Sequence, residues 1–155
     1  MKRKLVLGIV ASLLLVVVFT GACIAQGSNP MSAEELKASW RRMMEGAYNC
    51  GNLDALDEHM AADYVRHRPP KPDIEGLEAF KQFVAAMRNA YPDIQLTILE
   101  IIAEGDTQAS RWIATGTHKD TGERIRVVGS CWGRRVGGKV VEQWHYSVHL
   151  EESGE

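Results

Sequence analysis

The chain has 155 residues, 45% of them hydrophobic and 25% charged, with a formal net charge of −2. One domain accounts for that length, and a composition near the globular average excludes a collagen, a long disordered tail and a disulfide-dense mini-protein. A charge so close to zero gives no case for a nucleic-acid partner, which calls for a basic patch and a pI above about 9.

The charge is unevenly spread. Lys2, Arg3 and Lys4 precede an apolar run from Leu5 to Phe19, broken only by Gly8 and Ser12. A basic start, an apolar stretch and then small residues is the layout of a secretory signal. Thr20-Gly21-Ala22-Cys23 follows. Gly and Ala directly before a Cys resemble the bacterial lipoprotein box, in which that Cys takes lipid and becomes the new N-terminus. Cleavage after Ala25 and an uncleaved anchor remain open, since Leu5 to Ala25 approaches the roughly 20 residues needed to span a bilayer. All three readings place the domain outside the cytoplasm, in the cell envelope or secreted. Residues 1–22 are read as a signal peptide, 23–31 as the lipidated Cys23 with a polar tether, 32–150 as the domain and 151–155 as a tail. Without Lys2, Arg3 and Lys4 the 18 bases fall to 15 against 20 acids, so the remainder carries −5.

Two further cysteines, Cys50 and Cys131, are either buried free thiols or a disulfide in an exported protein. No cysteine pair has the close spacing of a zinc site.

Ser32 with Glu35 forms a capping box, and Leu36, Trp40, Met43, Met44 and Ala47 follow at helical spacing. That helix is expected to stop at Asn49-Cys50-Gly51, with Asn52 capping a short second helix that carries Leu53, Leu56 and Met60. Ala62 to His67 is strand-like, and Pro69, Pro70 and Pro72 force a loop. Leu77, Phe80, Phe83, Val84 and Met87 mark a third helix, ended by Tyr91-Pro92. Four long strands are then expected: Ile94–Ala103, Thr107–His118, Glu123–Val136 and Lys139–Leu150. Glu104-Gly105-Asp106, Lys119-Asp120-Thr121-Gly122 and Gly137-Gly138 supply the turns between them. Helices followed by a mainly antiparallel sheet make an α+β domain. If the sheet is strongly curved, helices on its concave face enclose a pocket.

Four segments carry a family resemblance over about Glu45 to Leu150. They are Asn52-Leu53-Asp54-Ala55-Leu56 through Asp63-Tyr64-Val65-Arg66-His67; Gly76 leading to Tyr91-Pro92-Asp93; Glu104-Gly105-Asp106 with Gly116-Thr117-His118; and Gly138-Lys139-Val140-Val141-Glu142-Gln143-Trp144. In this order and spacing the chain resembles the SnoaL-like polyketide cyclases, also called ester cyclases, of the nuclear-transport-factor-two-like superfamily. The resemblance implies a cone-shaped α+β barrel with a pocket for acid/base chemistry on a small hydrophobic, carbonyl-containing molecule. It also implies His67 near the pocket mouth, and an aspartate four residues after the closing tryptophan. That position is Val148, which cannot ionise. Such barrels pair through the outer face of the sheet, so a homodimer is a further expectation.

The last strand has a reading of its own. Strand side chains alternate, so Glu142, Trp144, Tyr146, Val148 and Leu150 share one face, and Gln143, His145, Ser147 and His149 the other. The first is apolar apart from Glu142 and is expected to point inward. A desolvated carboxylate there would have a raised pKa, which makes Glu142 the leading general acid or base, with His67 or His118 as proton-transfer partner. Tyr64, Trp112, Trp144, Tyr146 and Val148 are the candidate ligand contacts. His145 and His149 are about 13 Å apart on a strand, too far to share an ion, so no metal is expected; no cofactor is expected either. Arg124, Arg126, Arg134 and Arg135 read as a solvated sheet surface. The competing functions are therefore a catalyst using Glu142 and a non-catalytic, membrane-tethered binding or dimeric assembly module.

Overall fold

The computed structural model describes residues 31–150. The expected signal peptide, Cys23, most of the tether and the 151–155 tail lie outside the described residues. Helix α1 (Ala33–Asn49) begins at the expected capping box. The Glu35 N–H donates to Ser32 Oγ at 3.3 Å, and the Ser32 N–H donates to Glu35 Oε2 at 2.9 Å. Two backbone donors that a helix start leaves free are thereby satisfied. Its buried stripe includes Leu36, Trp40, Met43, Met44 and Ala47. Helix α2 (Asp54–His59) is short, and Asn52 Oδ1 accepts from the Ala55 N–H near its start at 3.4 Å. Helix α3 (Leu77–Ala90) buries Leu77, Phe80 and Val84, and it stops just short of Tyr91-Pro92 because a residue before proline is disfavoured in helical geometry.

Six strands form one sheet: β1 (Met60–Arg68), β2 (Lys71–Glu75), β3 (Gln95–Glu104), β4 (Thr107–Thr117), β5 (Arg124–Val136) and β6 (Lys139–His149). Their order is β2-β1-β6-β5-β4-β3. Every neighbouring pair is antiparallel except β1 with β6, which is parallel. The α+β class and the helices packed on a curved, mainly antiparallel sheet are as expected, but the cone is not a closed barrel. β2 and β3 are its two edges and do not pair. The proline segment read as pure loop contains β2, with Pro72 inside it; an edge strand tolerates proline, which has no N–H to give to a ladder.

The core lies between the helices and the sheet. Trp40, Met43, Leu56, Phe80, Val84 and Val140 are at most 1% exposed. Trp40 keeps its polar edge satisfied by donating from Nε1 to Ser110 Oγ at 3.1 Å. Truncating a buried phenylalanine such as Phe80 to alanine costs about 3–5 kcal/mol. Both described cysteines are free. Cys131 is buried and its thiol is pushed up by burial, whereas Cys50 is exposed, so only one of the two is a core thiol. No helix among the described residues is long and apolar enough to cross a membrane.

One irregularity positions the site. Arg135 pairs with Val140 and Arg134 with Glu142, so Val141 is an extra residue on β6. Such a bulge reverses the alternation of side chains along the strand. Val140 faces the core and is fully buried. Beyond the bulge the inward positions are Gln143, His145 and Ser147 rather than Glu142, Trp144 and Tyr146.

Candidate functional site

Between the helices and the far half of the sheet lies a cavity of about 510 Å³. Met44 and Tyr48 of α1 and Phe83 and Met87 of α3 form one wall. Trp112 and Ala114 of β4, Ile125 and Val127 of β5, and His145, Ser147 and His149 of β6 form the other. Arg68, Pro69, Pro70 and Lys71, at the β1–β2 turn, edge it.

Arg66 is the charged group inside. Along β1, Tyr64 and Arg66 are buried while the alternate positions Val65 and His67 are not. The parallel pairing sets Arg66 beside Gln143 and His67 beside Trp144. Arg66 Nη1 donates to Tyr48 Oη at 3.1 Å, and Nη2 lies 2.6 Å from His145 Nδ1. A guanidinium has only donors, so Nδ1 must accept, and the neutral ring holds its proton on Nε2. Burial, and then the charges of Arg66, Arg68 and Lys71, push the His145 pKa down to about 2. The ring stacks on Trp112 at 5.1 Å and 21°. No aspartate or glutamate is among the residues lining the cavity. Arg66 and the His145 Nε2–H can therefore stabilise an oxygen that holds negative charge. His145 cannot serve as a base, since one nitrogen is engaged and the other protonated.

The predicted acid/base residues are elsewhere. Glu142 and His67 do meet, at 3.1 Å between Glu142 Oε1 and His67 Nε2, but on the outer face of the sheet. Asp73 Oδ2 is 2.7 Å from His67 Nδ1, and Arg134 donates to Glu142 Oε2 at 3.0 and 3.2 Å. The expected raised pKa of Glu142 is corrected: the hydrogen bond from His67, helped by Arg134, holds it below the usual carboxylate range. His67 is raised, chiefly by the Glu142 hydrogen bond; burial opposes this, and the Asp73 hydrogen bond adds to the rise. His118 follows the other end of β4, eleven residues beyond Thr107 in the Glu142 row, about 36 Å of strand at 3.3 Å per residue. There its ring meets Tyr91 edge-on at 5.2 Å and its Nδ1 accepts from the Asp120 N–H at 3.3 Å.

The expected inward face of β6 is corrected for the same reason of bulge and parity. Trp144 lies against His67 and Trp132 on the outer face, and Tyr146 and Val148 are 54% and 64% exposed. Tyr64 is inside but in the core: it packs on Phe80 at 5.3 Å, donates to Gln143 Oε1 and is pushed up by burial. Trp112 is the one predicted ligand contact on the cavity wall. Arg135, read as part of a solvated surface, is 2% exposed and donates to Gln108 Oε1 at 3.0 Å and to the Gly138 carbonyl at 2.8 Å. Arg66, Tyr48 and His145 were not singled out as site residues. A signal for Arg66 existed, since it shares a strand face with Tyr64, two residues away.

The sequence pattern described as SnoaL-like polyketide cyclase matches residues 38–150, a span that contains every cavity-lining residue. The chain belongs to the SnoaL-like polyketide cyclase family. Among solved structures, this SnoaL-like chain is similar to a protein of Jannaschia sp. CCS1 assigned as a SnoaL-like polyketide cyclase. The TM-score is 0.68 at 17% identity, over 77% of this chain and 90% of that one; at that identity the likeness is one of fold. AclR of Streptomyces galilaeus, assigned as a hydroxylase, is 29% identical over 77% of this chain and 91% of its own, with a TM-score of 0.64. A protein of Acidithiobacillus ferrooxidans assigned as a polyketide cyclase is 25% identical over 76% and 91%, with a TM-score of 0.65. No curated protein matches the chain. Membership of the SnoaL-like family is consistent with ligand binding and with cyclase or isomerase chemistry, and fold alone does not choose between them.

Proposed function

We propose that this SnoaL-like protein is an exported, membrane-tethered receptor for a small hydrophobic molecule with a carbonyl oxygen. The observation that supports this reading is the cavity itself: its walls are aliphatic and aromatic, its buried polar contacts are the Arg66 and His145 donors, and no carboxylate lines it. An apolar enclosure with a few fixed polar groups is the usual form of a small-molecule site. Aldol-type ring closure needs a base within reach of a C–H beside the carbonyl, and Glu142 with His67 lies on the opposite face of the sheet. Binding is therefore favoured over proton abstraction by that pair. The purified full-length protein is expected to bind the neutral dye Nile red with one-to-one stoichiometry. Ala114→Trp, which fills the cavity from β4, is expected to abolish that binding while the far-ultraviolet circular dichroism stays native. Dye affinity unchanged in the filled variant would sink the reading.

Export and tethering rest on the sequence of residues 1–23. Cys23→Ser is expected to release the protein from the membrane fraction and to end lipid labelling; persistence of both refutes the tether. The proposed protein partner is a second copy of the chain. The outer sheet face exposes Trp132, Tyr146 and Val148 at 39%, 54% and 64%, and apolar surface gathered in one place marks an interaction site. Light scattering on the purified protein is expected to give a dimer mass that Tyr146→Glu with Val148→Glu halves. A monomeric wild type overturns the pairing.

A further inference from the structure

We propose that the cavity takes its ligand as an anion, a small and mostly apolar carboxylate, with the Arg66 guanidinium as its counter-ion. This inference deepens the receptor reading above and rests on it.

Arg66 is 2% exposed and cannot lose its proton within a protein. Of its five N–H donors, two are used, one by Tyr48 and one by His145; Nε has no partner at all. No ion pair among the described residues includes Arg66. The rings of Phe80 and Phe83 also face it, at 5.1 and 5.3 Å from the guanidinium carbon. They favour a cation but bring no compensating charge. A buried charge left without a counter-charge is strongly unfavourable, and here the charge borders an open volume. A ligand carboxylate would supply what the chain does not.

Two observations give the same sign. Arg68 and Lys71 stand at the cavity edge with no lining acid to offset them. His145, whose Nδ1 is committed to Arg66, offers a ligand only an N–H. Arg135 provides a contrast within the same fold. It too is buried with an unpartnered Nη2, but it lines neither this cavity nor a comparable one, so its burial points to no ligand. The apolar walls account for the remainder of the molecule, a hydrocarbon or aromatic body.

The test displaces Nile red from the full-length protein with two probes of one shape, 2-naphthoate and 2-naphthamide. A charge-assisted hydrogen bond predicts that the carboxylate binds at least about tenfold more tightly than the amide at pH 7. Arg66→Gln, with its fold checked by circular dichroism, is expected to bring the two probes to within about twofold. Should that variant fail to fold, the wild type in 0.5 M sodium chloride replaces it. A preference held by buried Arg66 persists in salt, whereas one held by the more exposed edge cations Arg68 and Lys71 collapses. Collapse overturns the assignment to Arg66. Equal affinities for the two probes in the wild type overturn the anion inference and leave the receptor reading standing. Failure of Nile red to bind at all overturns both.

Discussion

Gly129 is the position where one methyl group should damage both the fold and the cavity. It lies on β5 opposite Trp112 of β4 and Ser147 of β6. A Cβ placed there would stand 2.3 Å from Trp112 Cζ2, 2.8 Å from Cε2 and 2.5 Å from the Tyr146 carbonyl oxygen. Carbon atoms rest at about 3.5–4.0 Å, so the indole would have to retreat by more than about 1 Å. It has little room, because His145 stacks on it at 5.1 Å and Arg66 holds His145. The carbonyl belongs to β6, which is laddered to β5, so it yields even less. Overpacking of this kind costs about 1–3 kcal/mol, and a fixed backbone oxygen puts Gly129→Ala near 3 kcal/mol. At about 4 °C per kcal/mol for a domain of this size, the Tm should fall by about 12 °C. Thermal unfolding followed by circular dichroism measures this, and a Nile red titration of the same sample should show at least about fivefold weaker binding as Trp112 is driven toward the cavity. A Tm within about 2 °C of wild type, with unchanged dye affinity, would refute the close packing of glycine against indole.

The outer-face clamp should give the protein a pH signature. His67 is raised in the folded state, so its stabilisation is fully present below about pH 6.5 and is lost as pH climbs through the folded value. His67→Ala should therefore cost up to about 1 kcal/mol near pH 6 and less in alkaline solution; urea unfolding at pH 6 and pH 9 checks this, and a gap that is equal or larger at pH 9 contradicts it. Glu142 is lowered, so its share is present above the ordinary carboxylate range and is lost in acid as pH falls through its folded value. Glu142→Gln should leave Nile red affinity within twofold, and a large loss would return Glu142 to the cavity. Nitrogen-resolved NMR of His145 should show a neutral ring protonated on Nε2 that does not titrate between pH 8 and pH 4; an inflection near pH 6 would contradict the Arg66 contact. Finally, Val148→Asp should leave 2-naphthoate affinity within twofold, whereas Ser147→Asp, one residue away but facing the cavity, should weaken it at least about tenfold. The reverse order would show the face assignment of β6 to be wrong.

Most elements of the fold were legible because each rests on a local rule. The Ser32–Glu35 box, the Tyr91-Pro92 stop and the Gly137-Gly138 turn all act within a few residues, and the element boundaries they imply agree with the structure to within a residue or two. What was missed depends on distant partners. β2 exists because Val65, Arg66 and Arg68 of β1 offer it a pairing edge, and a Pro72-containing segment forms a strand only where that edge leaves its nitrogen free. Closure of the barrel was expected from resemblance, but it depends on whether β2 and β3 meet, which no local pattern encodes.

The site was misread on β6 for two physical reasons that reinforced one another. The first is parity. A single extra residue at Val141 turns every later side chain to the other face, and nothing in Lys139-Val140-Val141-Glu142 marks which valine is the extra one. The second is that polarity was taken as a guide to direction. Trp144, Tyr146 and Val148 look like core, and Gln143, His145, Ser147 and His149 like surface. That rule holds where the inner face of a sheet is solid, as it is at Val140. It fails where the inner face opens on a ligand cavity, because polar groups are then needed inside to fix an orientation and apolar ones can lie outside against another surface. The inversion therefore carries information of its own. In this chain the strand that runs polar inward and apolar outward is also the strand that contributes His145, Ser147 and His149 to the cavity wall, while the β1 segment beside it brings in an arginine without a carboxylate. A pattern that contradicts burial on two neighbouring strands at once is what a bound polar group, rather than a packed core, would require.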